Sequence, residues 1–167
     1  MKRIHVDWQK CTGCMRCMLA CSAAKEGQFR PARARIHMIS NPRNGLSVPL
    51  VCYQCDDAPC LAACPVEALV RNDAGAVVVI DDFCTGCGAC AEDCPFGMIE
   101  VVDDIAVKCD LCGGEPECVK VCPTEALVYD DVSITGEEFK DIKESEGTPH
   151  QRRQERAVVI FQELASI

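Results

Sequence analysis

The chain has 167 residues, a formal charge of -9, and only 5% Phe, Trp and Tyr, with a single Trp. The length bounds the fold to one domain or two small ones, and the acidity excludes a nucleic-acid footprint. Sixteen cysteines, close to a tenth of the chain, leave a disulfide scaffold and a metal protein as the two classes to separate.

The first residues favour metal. "MKRIHVDWQKC" starts basic, but Asp7, Gln9 and Lys10 interrupt any apolar run, so it does not read as a secretory leader. No segment reaches the ~18 apolar residues of a membrane-spanning helix. The setting expected is the reducing cytoplasm, where dense cysteine means metal. Large apolar anchors are few, so metal is expected to supply part of the folding energy and the metal-free chain to be largely unfolded.

Four cysteine boxes follow in order, with no cysteine left over. "RIHV" reads as a strand leading to box one, Cys11, Cys14, Cys17 and Cys21. A basic island comes next, Lys25, Arg30, Arg33, Arg35 and Arg43, readable as a docking surface for an acidic partner or as a solvated loop and strand, "ARARIHMI". "SVPLV" leads to box two, Cys52, Cys55, Cys60 and Cys64, and "AVVVI" to box three, Cys84, Cys87, Cys90 and Cys94. "IAV" leads to box four, Cys109, Cys112, Cys118 and Cys122, and "EALV" follows the prolines of boxes two and four as a further strand. Three residues separate the third and fourth cysteine of each box, which in a helical turn puts both thiols on one face. Proline after the fourth cysteine redirects the chain in boxes two to four.

Boxes one and three have the spacing CxxCxxCxxxC of bacterial ferredoxins; boxes two and four widen the second gap to four and five residues. From their third cysteines, "CLAACPVEALV" (60–70) and "CVKVCPTEALV" (118–128) agree at seven of eleven positions, a duplicated unit of one standard and one widened box. Gly113, Gly114 and Pro116 suit a loop that swings wide around a metal group and returns in a fixed direction. A [4Fe-4S] cube needs four converging thiolates, and in two-cluster ferredoxins the fourth comes from the partner box. Zinc knuckles take two cysteines from each of two loops and have no use for this spacing. No CxxxCxxC box with an open iron occurs, so the chain reads as wiring without catalytic residues.

The motifs "CTGCMRCMLAC", "CYQCDDAPCLAACP", "CTGCGACAEDCPFG" and "KCDLCGGEPECVKVCP" resemble the four-cluster ferredoxin-like electron-transfer subunits of molybdenum and tungsten pterin oxidoreductases, over about residues 3–130. Dimethyl sulfoxide reductase, formate dehydrogenase and aldehyde oxidoreductase have such subunits, as do some hydrogenases and carbon monoxide dehydrogenases. "KEGQFRPARARI" (25–36) looks like the subgroup serving tungsten aldehyde oxidoreductases. The resemblance implies four [4Fe-4S] clusters: Cys11, Cys14, Cys17 with Cys122; Cys109, Cys112, Cys118 with Cys21; Cys52, Cys55, Cys60 with Cys94; and Cys84, Cys87, Cys90 with Cys64. The internal repeat alone suggests pairing box one with two and three with four, while the nineteen residues between Cys64 and Cys84, against thirty between Cys21 and Cys52, favour the family's pairing. The implied fold is α+β: two interleaved bacterial-type two-cluster ferredoxin-like modules with short strands and helical turns, plus a C-terminal extension. Residues 1–130 form the four-cluster domain, with an inner module of about 48–102, and 131–167 the extension. Box one ends "CS" instead of "CP", expected to affect only the turn.

The implied function is relay of single electrons between a tungsten or molybdenum pterin catalytic subunit and another carrier, a flavin subunit or external ferredoxin. A free polyferredoxin, a hydrogenase or carbon monoxide dehydrogenase subunit, and a structural zinc protein are the alternatives. His5, His37 and His150 are read as surface or packing residues, and Trp8 and Phe83 as shields of a cube or as packing. Asp56, Asp57, Asp103 and Asp104 serve solubility or a donor protein. Beyond residue 130, Thr135 and Glu138 make a capping box for a short helix carrying Phe139 and Ile142, and "HQRRQERAVVIFQELASI" makes a second, with Val158, Phe161 and Leu164 or Ala165 along one side. This tail covers the core or binds the partner.

Overall fold

The computed structural model describes residues 1–131 and 147–166. Within them, Val- and Ile-rich runs form short strands, since β-branched side chains fit a pleated, half-buried surface. Strand β1 (Lys2–Val6) pairs antiparallel with the last strand of the cysteine-rich region, β8 (Leu127–Asp131), with Ile4 opposite Tyr129. Three hairpins lie between them: β2 (Ile36–Asn41) with β3 (Leu46–Val51), β4 (Leu69–Arg71) with β5 (Val77–Val79), and β6 (Ile99–Val102) with β7 (Ile105–Lys108). A strand thus precedes every box, and β4 and β8 follow the prolines of boxes two and four.

A helix starts at or beside the third cysteine of each box: α1 (Arg16–Glu26), α2 (Pro59–Ala62), α3 (Ala89–Glu92) and α4 (Glu117–Lys120). Helix α1 packs on α4, and α2 on α3. Short strands and few helices make this a small mixed α/β arrangement of ferredoxin type. Cysteines are part of its core: Cys17, Cys21, Cys52, Cys90, Cys94, Cys109 and Cys118 are buried among Ile36, Val48, Ile99 and Leu111.

After boxes two, three and four the chain turns at Glu67, Gly97 and Glu125, each with a left-handed backbone at φ 52°, 63° and 53°. Box one has no such turn, which corrects the expectation that its serine changes only the turn. Without a proline ring at position 22 to clash with the Met18 carbonyl, α1 continues to Glu26, where the Gly27 amide bonds Ala23 O at 2.9 Å. The Ser22 hydroxyl donates to Leu19 O and accepts from Arg30 N, both at 3.0 Å, fastening the loop that follows.

Helix α5 (Pro149–Ala165) begins with a capping box between Thr148 and Gln151. It lies on β2 and β3 and buries Arg152, Arg153, Ala157, Ile160 and Phe161. Val158, expected on the inner stripe, is 51% exposed. Arg152 donates to Ala91 O (2.9 Å) and Cys94 O (2.8 Å), and Arg153 to Gly97 O and Glu100. These anchors set the rotation of the helix, so the seam continues through Ala157, Ile160 and Phe161 to Leu164. The expected helix with Thr135, Glu138, Phe139 and Ile142 lies outside the described residues. Among those described, no helix is long and apolar enough to cross a membrane.

Candidate metal centres

All sixteen cysteines are free thiols. Cys52, Cys55, Cys60 and Cys94 line one cavity of about 380 Å³, together with Gln54, Phe96 and Lys108. Cys21, Cys109, Cys112 and Cys118 line a second of about 310 Å³, and Cys11, Cys14, Cys17 and Cys122 a third of about 310 Å³. Burial pushes the Cys90 thiol up to about 11, and Cys84, Cys64 and Cys87 push it the same way, which marks them as its neighbours. Each gathering takes three cysteines from one box and the last cysteine of another, so the α1–α4 and α2–α3 contacts each span two gatherings.

Thiols of different gatherings also act on one another electrostatically. Burial and then Cys109, Cys21, Cys112 and Cys17 push the Cys118 thiol up. Burial raises Cys109 to about 12, with the Cys52 thiol adding to it, and raises Cys60 to about 12, with Cys90 among the thiols that add to it. These influences link the gatherings in the order Cys14, Cys112, Cys55, Cys87, naming each by its second cysteine.

Local backbone explains the convergence. The residue before the second cysteine is left-handed in every box: Gly13, Gln54, Gly86 and Leu111, at φ 68°, 51°, 68° and 57°. Glycine takes this conformation freely in "CTGC", whereas a left-handed Gln54 or Leu111 costs about 1–2 kcal/mol. In box four Leu111, Cys112, Gly113 and Gly114 are all left-handed in succession, which forms the wide loop; the Asp110 carboxylate accepts from Cys112 N at 3.0 Å and fixes its start.

Backbone amides point at sulfur. Arg35 N donates to Cys21 Sγ (3.2 Å), Ala68 N to Cys64 Sγ (3.2 Å), Met98 N to Cys94 Sγ (3.3 Å) and Ala106 N to Cys84 Sγ (3.3 Å). Burial would push the Cys64 and Cys122 thiols up, but the surrounding amides outweigh it and hold both below the usual thiol range. Burial raises Cys17 and Cys55 to about 12, with the other thiols of their gatherings adding to it. Four crowded thiols ionise together only when metal charge compensates them. Apolar spaces walled by four thiols, with amides on the sulfurs, fit a polynuclear iron-sulfur group.

Charge around these sites is largely paired. Lys25 bonds Asp110 at 2.6 Å, Arg35 bonds Glu26 at 3.0 Å, and Arg33 reaches Asp103 at 2.7 Å, so three members of the basic island are paired, Lys25 and Arg33 with the stretch at residues 103–110 that leads into box four. Asp56 of the acidic patch pairs with Arg3 of β1. Trp8 packs against the core with Arg156 5.9 Å from its ring. Phe83 is 61% exposed and lines none of the three cavities; its short turn, residues 81–83, faces water. His5, His37 and His150 line none of the three cavities. Sequence reasoning missed Gln54, Lys108 and Arg152. The one available signal was the alternation in "IAVK", which places Lys108 on the same face as buried Ala106.

Comparisons with known proteins agree with this chemistry. Residues 44–132, half of the chain, match the family model of the 4Fe-4S dicluster domain, and residues 8–24 match a 4Fe-4S binding domain. The polyferredoxin-like subunit of the aliphatic sulfonate oxidoreductase of Pyrococcus furiosus is 44% identical, over 71% of this chain and 70% of its own length. Formate hydrogenlyase subunit 2 of Escherichia coli K12 is 33% identical over 74% of this chain and 79% of its own. A longer protein of the same organism, UacF, is 40% identical over 75% of this chain, which spans only 21% of that relative's length. The chain belongs to the 4Fe-4S ferredoxin-type, polyferredoxin-like electron-transfer subunit family.

Proposed function

We propose that this chain is the electron-relay subunit of an oxidoreductase complex, holding four [4Fe-4S] clusters in two two-cluster modules, the inner inserted into the outer. The observation that carries this is the ordered row of four thiol gatherings, each completed by a cysteine from another box. A cube of this kind takes up and returns one electron at a time. The residues of the chain bind, orient and insulate: the left-handed turns aim the thiols, the amides of Arg35, Ala68, Met98 and Ala106 stabilise thiolate charge, and the apolar walls restrict water. The catalytic partner is of the tungsten or molybdenum pterin class, on the resemblance of residues 25–36, and the setting is a reducing cytoplasm. A flavin subunit or external ferredoxin exchanges electrons at the far end of the row.

Anaerobic purification of the full chain tests this, with an expected broad absorption near 400 nm and about sixteen irons. Serine substitutions then test the grouping. Cys14→Ser and Cys122→Ser should abolish the same paramagnetic signal, while Cys21→Ser abolishes a different one although it shares a box with Cys14. A colourless, zinc-loaded chain, or a single signal lost by both Cys14→Ser and Cys21→Ser, would overturn the reading.

A further inference from the structure

Lys108 is a buried charge in an acidic chain, 5% exposed at the end of β7. Lysine is almost never fully buried without a partner. Its Nζ donates to Val77 O, to Cys109 O at 2.8 Å and to Gln54 Oε1 at 3.4 Å, three acceptors for the three N–H bonds of an ammonium. All three are neutral, and among the described residues no carboxylate pairs with it. Gln54, 1% exposed, is itself held rigidly, donating to Cys109 O at 2.7 Å and accepting from Val77 N at 2.9 Å. Lys108 lines the cavity of Cys52, Cys55, Cys60 and Cys94, its ammonium held behind the apolar wall by these acceptors.

A second buried cation serves the same gathering. Arg152 is 9% exposed and donates to the carbonyl of Cys94 at 2.8 Å; its Nε has no partner, and among the described residues it too has no carboxylate. The other three gatherings differ. Lys25 and Arg35 line the Cys112 cavity but are neutralised by Asp110 and Glu26. Arg16 lines the Cys14 cavity but is exposed, so water screens it. Beside Cys84 stand exposed Asp81 and Asp82, whose charge has the opposite sign. Buried, unpaired positive charge acts strongly on a neighbouring redox group, because the medium between them screens weakly.

Resting on the four-cluster reading above, we propose that Lys108, assisted by Arg152, serves as counter-ion to the cluster of Cys52, Cys55, Cys60 and Cys94, making it the highest-potential site of the row. Reduction adds a negative charge there, and the two cations favour that state over the oxidised one. An electron entering from either end of the row then rests in the interior of the chain, next to the Lys108–Cys109 junction where the two modules meet. Lys108 is a tuning residue: it binds no substrate and ligates no iron.

The test is a redox titration, followed by paramagnetic resonance, of the fully loaded full-length chain. In the native chain the signal with the highest potential should be the one that Cys55→Ser removes. Lys108→Gln should keep the native iron content and shift that site's reduction equilibrium toward the oxidised form at least tenfold, about 59 mV for one electron. Gln54→Glu leaves Lys108 in place but neutralises it, and Arg152→Gln removes the second cation; both should shift the same signal in the same direction. An unshifted potential with full iron overturns the proposal, as does a highest-potential signal that belongs to another gathering. Loss of iron in all three variants also overturns it, since residues that only hold the fold would give that result. Failure of the underlying reading is seen separately, as a native chain that never loads four clusters.

Discussion

Lys25 Nζ lies 2.6 Å from Asp110 Oδ2, joining the helix of box one to the first turn of box four across 85 positions of sequence. Asp110 uses its other oxygen to accept from Cys112 N, so one carboxylate secures both the inter-box contact and the entry to the wide loop.

Asp110→Ala should therefore destabilise the loaded chain by about 1–3 kcal/mol, the cost of orphaning a half-buried lysine and an amide together. Thermal melting followed at the cluster absorption checks the magnitude. Lys25→Met, which keeps the Cys112 contact, should cost less, and an equal loss in both variants would contradict this division.

Ser22→Pro would give box one the proline of the other three. It is expected to harm the protein by about 3 kcal/mol or more, because position 22 lies inside α1 and proline clashes with the preceding turn. The hydroxyl contact with Arg30 N is lost as well. Circular dichroism and iron content of the variant report this; a fully loaded chain of native stability would contradict the continued helix.

Helix α5 makes a face-specific prediction. Ile160 is fully buried, so Ile160→Ala should cost about 2–5 kcal/mol, whereas exposed Val158→Ala should stay within about 0.5 kcal/mol. Denaturant titration of the two variants distinguishes the observed seam from the one read off the sequence, and equal effects would reject it.

His37 lies in β2 beside Arg153, Glu100 and His150, and its pKa is pushed down to about 4, first by burial and then by the Arg153 charge. Between pH 6.5 and about 4 the unfolded chain binds a proton that the folded chain refuses. Stability is full above pH 6.5, falls as the pH drops through that window, and levels off below about 4, with up to about 3 kcal/mol lost. Melting of the loaded chain against His37→Gln isolates this contribution from acid lability of the clusters. The difference between the two should grow as the pH falls from 6.5 and vanish as a pH effect above it.

By itself the sequence determined the boxes, the strands before them and the helical turns within them, because these depend on neighbours a few residues apart. It also determined the metal class, since four thiols at such spacing have few other uses. The helix of "HQRRQERAVVIFQELASI" was legible from its period, but its inward face was not: two buried arginines on Ala91 O, Cys94 O and Gly97 O set its rotation, and those acceptors lie more than fifty positions away. Serine at position 22 was visible, yet its effect on α1 required the Arg30 and Arg35 amides that fold back on it and on Cys21. Only tertiary structure decided which charges are paired. Lys25, Arg33 and Arg35 looked like a free basic surface and are neutralised, while Lys108 looked like an ordinary strand lysine and is buried without a carboxylate partner among the described residues. Charge pairing depends on distances in space under weak screening, and sequence separation carries little information about those distances.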